Sequence, residues 1–126
     1  MKFADALTYL DEHASYEKTG RVESPSTDKI ERLLAVLGDP QSDYRVVHVT
    51  GTNGKGSTTQ IITRLLMSHG LKVGTYSSPH LENITERIQV DCENVDEQDF
   101  ADAVAAVADA EGISGVRPSY FEIVTA

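Results

Sequence analysis

Residues 49–57 read VTGTNGKGS. It has the glycine content of a phosphate-binding loop, but it departs from the Walker A pattern G-x-x-x-x-G-K-[ST]. Gly54 and Lys55 fit the Gly-Lys pair, whereas the position five before Gly54 holds Val49 and the residue after the lysine is Gly56. The hydroxyl comes one place late, at Ser57. The requirements of phosphate binding are still met. Gly51, Gly54 and Gly56 let the backbone turn tightly and approach an anion. Consecutive N–H groups can then converge on phosphate oxygens, and a following helix would aim its N-terminus at the same anion. Lys55 adds a point charge for the outer phosphates.

The flanking sequence supplies the context. Residues 44–49, YRVVHV, form a short β-branched run that predicts a buried strand. From Ser57 a helical pattern runs to His69, with Ile61, Ile62, Leu65 and Leu66 expected inward and Gly70 as its stop. Residues 71–76, LKVGTY, read as a second strand. Strand, loop, helix and strand fit in about 33 residues, the size of a βαβ unit. Such a unit implies a parallel sheet with a right-handed crossover. A tight βα turn with a surface lysine is the plain alternative; glycines at 51, 54 and 56 around that lysine argue against it. The missing first glycine argues against a standard kinase or GTPase.

Outward from the loop, Phe3, Leu7 and Leu10 stand at helical spacing. Residues 14–25 read as a loop. A helix follows Ser26 or Thr27, either of which can cap it. Ile30, Leu33, Leu34 and Leu37 form its stripe, and Gly38 and Pro40 end it. ITERIQVD (84–91) predicts a strand, and a helix starts near Asp96 with Phe100, Val104 and Val107 on its buried side. Residues 112–118 read as a loop. Ser119 and Glu122 then spell a capping box, announcing a helix with only four residues of chain left after it. So short a helix is not stable alone, and the chain is expected to be the N-terminal piece of something longer.

Composition bounds the function. The net charge of −9 disfavours a general nucleic-acid binder. The charge is uneven: residues 91–111 hold eight acids and no Lys or Arg. Their spacing is not that of a calcium loop, and a solvated helix face is the expected reading. One cysteine, Cys92, excludes an internal disulfide framework and a Cys-based zinc cluster. No apolar run reaches the roughly 18 residues of a membrane span, and the N-terminus lacks the apolar core of a signal peptide. A cytoplasmic protein without membrane or nucleic-acid partners is expected.

With these motifs in place, VTGTNGKGS resembles the shortened P-loop of the Mur-ligase superfamily, which begins at Gly-Thr and lacks the earlier Walker glycine. Glycine after the lysine resembles the folylpolyglutamate synthase and dihydrofolate synthase branch. SSPHL (77–81), TERI (85–88), the aromatic-Phe-Glu motif YFE (120–122) and the helix Asp28–Gly38 running into LGDP match the same branch. The resemblance covers essentially the whole chain but only roughly the first third of a family member. It implies an α/β fold: residues 1–126 would be the incomplete, N-terminal part of a P-loop, mostly parallel-sheet, Mur-ligase-like ATPase domain.

It also implies a reaction. Mg-ATP phosphorylates a carboxylate of folate, folylpolyglutamate or dihydropteroate, and the amine of L-glutamate attacks the acyl phosphate. Gly51, Thr52, Asn53, Gly54, Lys55, Gly56 and Ser57 would hold ATP, with Lys55 acting on the transferring phosphoryl group. Ser78 matches the family's magnesium-ligand serine; read bare, Ser78-Pro79 is a turn start. Phe121 matches a position lining the pterin pocket, where an aromatic face suits stacking; a core phenylalanine is the equal alternative. His80 is expected to support the substrate site. Arg87 could bind an anionic substrate, with surface pairing to an acid such as Glu86 as the default. Glu122 is explained by its capping box. The family's remaining metal ligands and its glutamate-binding domain would lie beyond residue 126, so this chain is expected to have little ligase activity alone. The full-length protein is expected to be a monomer. A nucleotide kinase, a GTPase or a non-catalytic nucleotide-binding module remain the competing readings.

Overall fold

The computed structural model describes residues 1–20 and 25–126. In chain order it contains α1 (Phe3–Asp11), α2 (Tyr16–Thr19), α3 (Asp28–Val36), α4 (Lys55–Ser68), β1 (Gly74–Tyr76), β2 (Ile88–Val90), β3 (Glu93–Asn94), α5 (Glu97–Ser114) and α6 (Tyr120–Thr125). Two 3-10 turns, Pro40–Ser42 and Ile84–Arg87, complete the set. They divide between two units, Met1–Arg45 with Gln98–Ala126, and Val46–Glu97.

The first unit is helical. Its core takes Ala6 and Leu10 from α1, Leu33 from α3, Phe100, Ala101, Val104, Val107 and Ala110 from α5, and Tyr120, Ile123 and Val124 from α6. These are largely the stripes that the sequence spacing marks. Fully burying a side chain such as Leu or Phe contributes roughly 1.5–3 kcal/mol. The Phe3 and Phe100 rings meet edge to face, 6.0 Å between centroids. The capping box of α6 forms as spelled: Ser119 Oγ accepts the Glu122 N–H at 3.2 Å, and the Glu122 carboxylate accepts the Ser119 N–H at 2.8 Å. The Tyr120 N–H also donates to the Ala14 carbonyl at 2.9 Å. Six residues of helix are thus held by a cap, a backbone bond and a buried face.

A polar network ties α1 to α5. Glu111 accepts from the Tyr9 hydroxyl, from His13 Nε2 at 2.9 Å and from Arg117 at 3.0 Å. His13 Nδ1 meets the Tyr9 carbonyl at 2.7 Å, and Arg117 also donates to the Glu12 carbonyl at 2.9 Å. Glu111 belongs to the acidic block expected to be solvated, yet its side chain is only 15% exposed. Burial raises its pKa, but the bonds from Tyr9, His13 and Arg117 outweigh this and hold it below the usual carboxylate range. The Tyr9 hydroxyl is pushed up by burial and by the same carboxylate.

In the second unit α4 lies on a three-stranded antiparallel sheet in the order β1-β2-β3. Thr75 pairs with Gln89, and Gln89 with Asn94. Asp91 and Cys92, both left-handed at φ 50° and 67°, make the two-residue turn between β2 and β3. Five expectations change here, the first being that the strand expected over 71–76 is confined to Gly74–Tyr76. Residues 44–49 form no strand, and Tyr44, Val46 and Val47 are exposed. A strand needs a hydrogen-bonded neighbour, and no described residue pairs with this segment; the parallel pair of the βαβ reading is therefore not made. Of the inward-expected residues of α4, Ile62 and Leu66 are half-buried but Ile61 and Leu65 are exposed, and the buried residue is Thr63. The helix starts at Lys55 rather than Ser57. Residues 84–87 form a 3-10 turn, because Asn83 caps it, so the expected strand shortens to 88–90. In the first unit Tyr16–Thr19 make one helical turn inside the expected loop 14–25, of which 21–24 lie outside the described residues, and α5 runs on to Ser114.

Two outcomes test the helical unit. Glu111→Gln should cost about 2 kcal/mol at neutral pH, since it removes a charged acceptor of three bonds. Because the Glu111 pKa is depressed, its contribution is present above ~4.3 and lost as pH falls through the lower folded value. Because the Tyr9 pKa is raised, the hydroxyl's contribution is complete below ~10 and lost as pH rises past it. Urea unfolding across pH should show this acid loss in the wild type and a flatter acid limb in the variant. Equal neutral-pH stabilities would rule the network out as a support. Ser119→Ala should cost about 1 kcal/mol, read as faster amide exchange confined to α6.

Candidate functional site

The glycine loop enters α4 through Gly54, which sits at the N-cap with φ +73°, a conformation that disfavours other residues. A Cβ there would meet nothing within 4 Å, so the demand is on the dihedral and not on space. Gly56 has an ordinary φ and equally open surroundings; neither its backbone nor its packing calls for glycine, and its lack of a side chain keeps the first turn bare. Residues 50–58 are all exposed.

A helix leaves its first amide groups without internal partners. In α4 the first helical bond runs from the Thr58 N–H to the Gly54 carbonyl at 2.9 Å. No acceptor among the described residues takes the N–H groups of Lys55, Gly56 or Ser57, and no side chain caps the helix. Each other α-helix has an acid in its first turn: Asp5 in α1, Glu17 in α2, Asp28 and Glu31 in α3, Glu97 in α5 and Glu122 in α6. The first turn of α4 has none and instead carries Lys55. A cation at this end opposes the helix dipole. Bare amides, dipole and lysine together favour an anion.

The SSPHL loop stands at the same end of this unit. Thr63 and Thr75 share a buried hydroxyl bond at 2.9 Å, Gln60 reaches Gln89 at 3.5 Å, and Cys92 Sγ lies 3.6 Å from Met67 Sδ. Stepping back along α4 from Met67 to Gln60 follows β2 from its turn toward Ile88, and so β1 toward Tyr76. Helix α4 therefore runs antiparallel to β1. Its N-terminus and the loop that leaves β1 thus lie toward the same end of the unit.

That loop is braced by TERI. The Ser77 N–H donates to the Arg87 carbonyl at 2.9 Å, closing the loop on itself. Glu86 accepts the N–H groups of Leu81, Glu82 and Asn83 at 3.0, 2.9 and 2.8 Å. These bonds, that to Leu81 the largest, hold its carboxyl below the usual range. Asn83 in turn caps the 3-10 turn by accepting from the Thr85 N–H at 2.9 Å. Glu86 thus does more than pair with Arg87; the capping-box letters Asn83 and Glu86 are its signal in the sequence.

Arg87 corrects its expectation. It is 1% exposed rather than on the surface, and its Nε donates to His80 Nδ1 at 2.8 Å. His80 is partly buried and Ser78 is exposed. Among the described residues no group of three His, Cys, Asp or Glu side chains could hold a metal ion. Ser78 offers one hard hydroxyl oxygen, which fits Mg²⁺, an ion that takes few protein ligands beside water and phosphate. Phe121 belongs to the other unit; on α6 it is 42% exposed while Tyr120, Ile123 and Val124 are buried, so it is not a core residue. The structure thus groups the 51–57 loop with Ser78, His80 and Arg87 in one unit.

No helix of the described residues is long and apolar enough to cross a membrane. No family model matches the chain. Folylpolyglutamate synthase of Lacticaseibacillus casei is 38% identical over 107 residues, which cover 85% of this chain and 24% of that protein. Dihydrofolate synthase/folylpolyglutamate synthase of Bacillus subtilis is 35% identical over 106 residues, 81% of this chain and 25% of that protein. Among solved structures, an FPGS–AMPPCP–folate complex superposes with a TM-score of 0.86 at 32% identity, covering 99% of this chain and 30% of that one. The chain spans no more than about a quarter of the length of these curated relatives. Its α/β fold, with the small sheet and the helix that follows the glycine loop, is that of part of the Mur-ligase-like domain in such structures. In sequence and fold, over the stretch that it spans, this chain belongs to the folylpolyglutamate synthase/dihydrofolate synthase family.

Proposed function

We propose that residues 1–126 form the N-terminal, ATP-holding part of a ligase that joins L-glutamate to the carboxylate of a folate, a folylpolyglutamate or dihydropteroate. The observation that carries this reading is the first turn of α4, which has bare amides, no acid, no side-chain cap, and Lys55 directly after the left-handed Gly54. A triphosphate supplies the anion that this turn lacks. The relatives named above are amide-forming folate ligases by name, and the solved complex holds an ATP analogue together with folate. Both favour a ligase over a nucleotide kinase, a GTPase or a non-catalytic module.

In this reading the amides of residues 51–57 cradle the phosphates, and Thr52, Asn53 and Ser57 add polar contacts. Lys55 follows the γ-phosphoryl group as it leaves ADP and joins the substrate carboxylate, offsetting the charge on its oxygens. The amine of glutamate then attacks the acyl carbon, the amide forms and phosphate departs. Ser78 would hold Mg²⁺ with phosphate and water oxygens, and the ion would supply charge neutralisation between phosphates. The brace of Glu86 and Arg87 keeps Ser78 and His80 in a fixed loop toward the end of the unit where α4 begins. Phe121 presents an exposed ring suited to stacking on a pterin.

The reading has direct tests. Lys55→Ala should weaken binding of an ATP analogue at least about tenfold, as expected for a charge-assisted contact, measured by calorimetry on the chain. Unchanged affinity would remove Lys55 from the site. Gly54→Ala forces a left-handed residue at a cost of about 1–2 kcal/mol and should weaken nucleotide binding with little change in the sheet. Given ATP, glutamate and folate, the chain alone should bind nucleotide and form almost no amide. Product at the rate of a complete ligase would show that nothing further is needed.

A further inference from the structure

Arginine donates and never accepts a hydrogen bond. When Arg87 Nε lies 2.8 Å from His80 Nδ1, that ring nitrogen must therefore be the acceptor. A neutral imidazole carries its proton on the nitrogen that does not accept, which here is Nε2. Water does not compete for this contact, because Arg87 is 1% exposed. The pair is also held from both ends: the Arg87 carbonyl takes the Ser77 N–H, and Glu86 fixes residues 81–83 just beyond His80.

The other nitrogen is open. Among the described residues no acceptor meets His80 Nε2, and no buried side-chain N or O atom lacks a partner. An unmet Nε2 on this partly exposed residue is therefore one that faces solvent. It is a donor with a set orientation, two residues after Ser78, toward the end of the unit where α4 begins.

We propose that Arg87 is a positioning residue that fixes the tautomer of His80, so that the Nε2–H of His80 donates to an anionic oxygen of a bound substrate. The oxygen is either a phosphoryl oxygen of the nucleotide or a carboxylate oxygen of the folate. The tautomer follows from this chain's own contacts; the ligand rests on the function proposed above.

The two parts are tested separately. Long-range ¹H–¹⁵N NMR of the chain at neutral pH should show His80 protonated at Nε2 only. Protonation at Nδ1 in the wild type would overturn the proposal without any variant being made. Arg87→Gln should give a mixture of tautomers; a folded variant with the wild-type pattern also overturns it. Titration with ATP alone and with folate alone then assigns the source: the ligand that shifts the Nε2 signal supplies the oxygen, and a shift with neither overturns the ligand role. His80→Asn keeps an acceptor for Arg87 but has no group at the Nε2 position, whereas His80→Gln places an amide N–H there. The asparagine variant should keep the Ser77 and Ser78 amide signals and bind that ligand about tenfold more weakly. The glutamine variant should bind within about twofold of wild type. Equal binding by the asparagine variant would reduce His80 to a loop support. Should Lys55→Ala leave nucleotide affinity unchanged, the ATP reading fails while the tautomer result stands.

Discussion

A helix cannot satisfy its own first amide groups, and the way each helix meets this constraint separates scaffold from site. In α1 the Asp5 carboxylate accepts the Lys2 N–H, and in α6 Ser119 and Glu122 exchange bonds. The 3-10 turn at 84–87 uses Asn83 and Glu86 in the same way. Among the α-helices of the described residues, α4 is the one without an acid in its first turn. Its cap is a left-handed glycine, its first turn has no acid, and its first side chain is a cation that opposes the dipole. The missing acid and the lysine both leave the free helix end less stable, and in the function proposed above a bound polyanion would offset both.

The second loop is built on the opposite principle. Residues 77–87 are braced by bonds within the loop, with one carboxylate taking three amides and one buried guanidinium meeting the histidine. SSPHL and TERI are thus a single device: Glu86 holds the amides of Leu81, Glu82 and Asn83, while Arg87 meets the His80 ring and, through its carbonyl, the Ser77 N–H. What the loop leaves unsatisfied is limited to groups that face solvent, among them the Ser78 hydroxyl and His80 Nε2. Such preorganisation lowers the ordering cost when a ligand binds.

Much of this was legible in the sequence because the signals were local. The capping box at Ser119, the stops at Gly38 and Gly70, and the stripes of α3 and α5 depend on residues close in the chain, and the structure bears them out. The glycine loop before a helix was legible for the same reason. The misreadings were non-local. Apolar pattern cannot say whether YRVVHV has neighbours to pair with, nor that a threonine rather than an isoleucine of α4 would be buried. Charge pattern could not separate Glu111 from the solvated acids around it, because Tyr9 and His13 are about a hundred residues away in the chain. Arg87 looked like a surface charge because its partner, His80, is brought to it only by the folded loop.

The misreading of α4 carries information about architecture. Thr63 faces β1, while Ile61 and Leu65, one turn apart, line the opposite side and are exposed. A surface helix keeps its apolar stripe on the packed side. Here Thr63, with half-buried Ile62, Leu66 and Met67, makes the packed side, and an isoleucine–leucine pair is left on the other. Layered α/β folds ask such a second apolar side of a helix lying between sheet and neighbour, and the relatives to which this chain is similar are about four times as long as the stretch matched. With one face of this helix on β1 and an apolar stripe exposed on the other, the proposed ligand role falls to its first turn, where the sequence places Gly54 and Lys55.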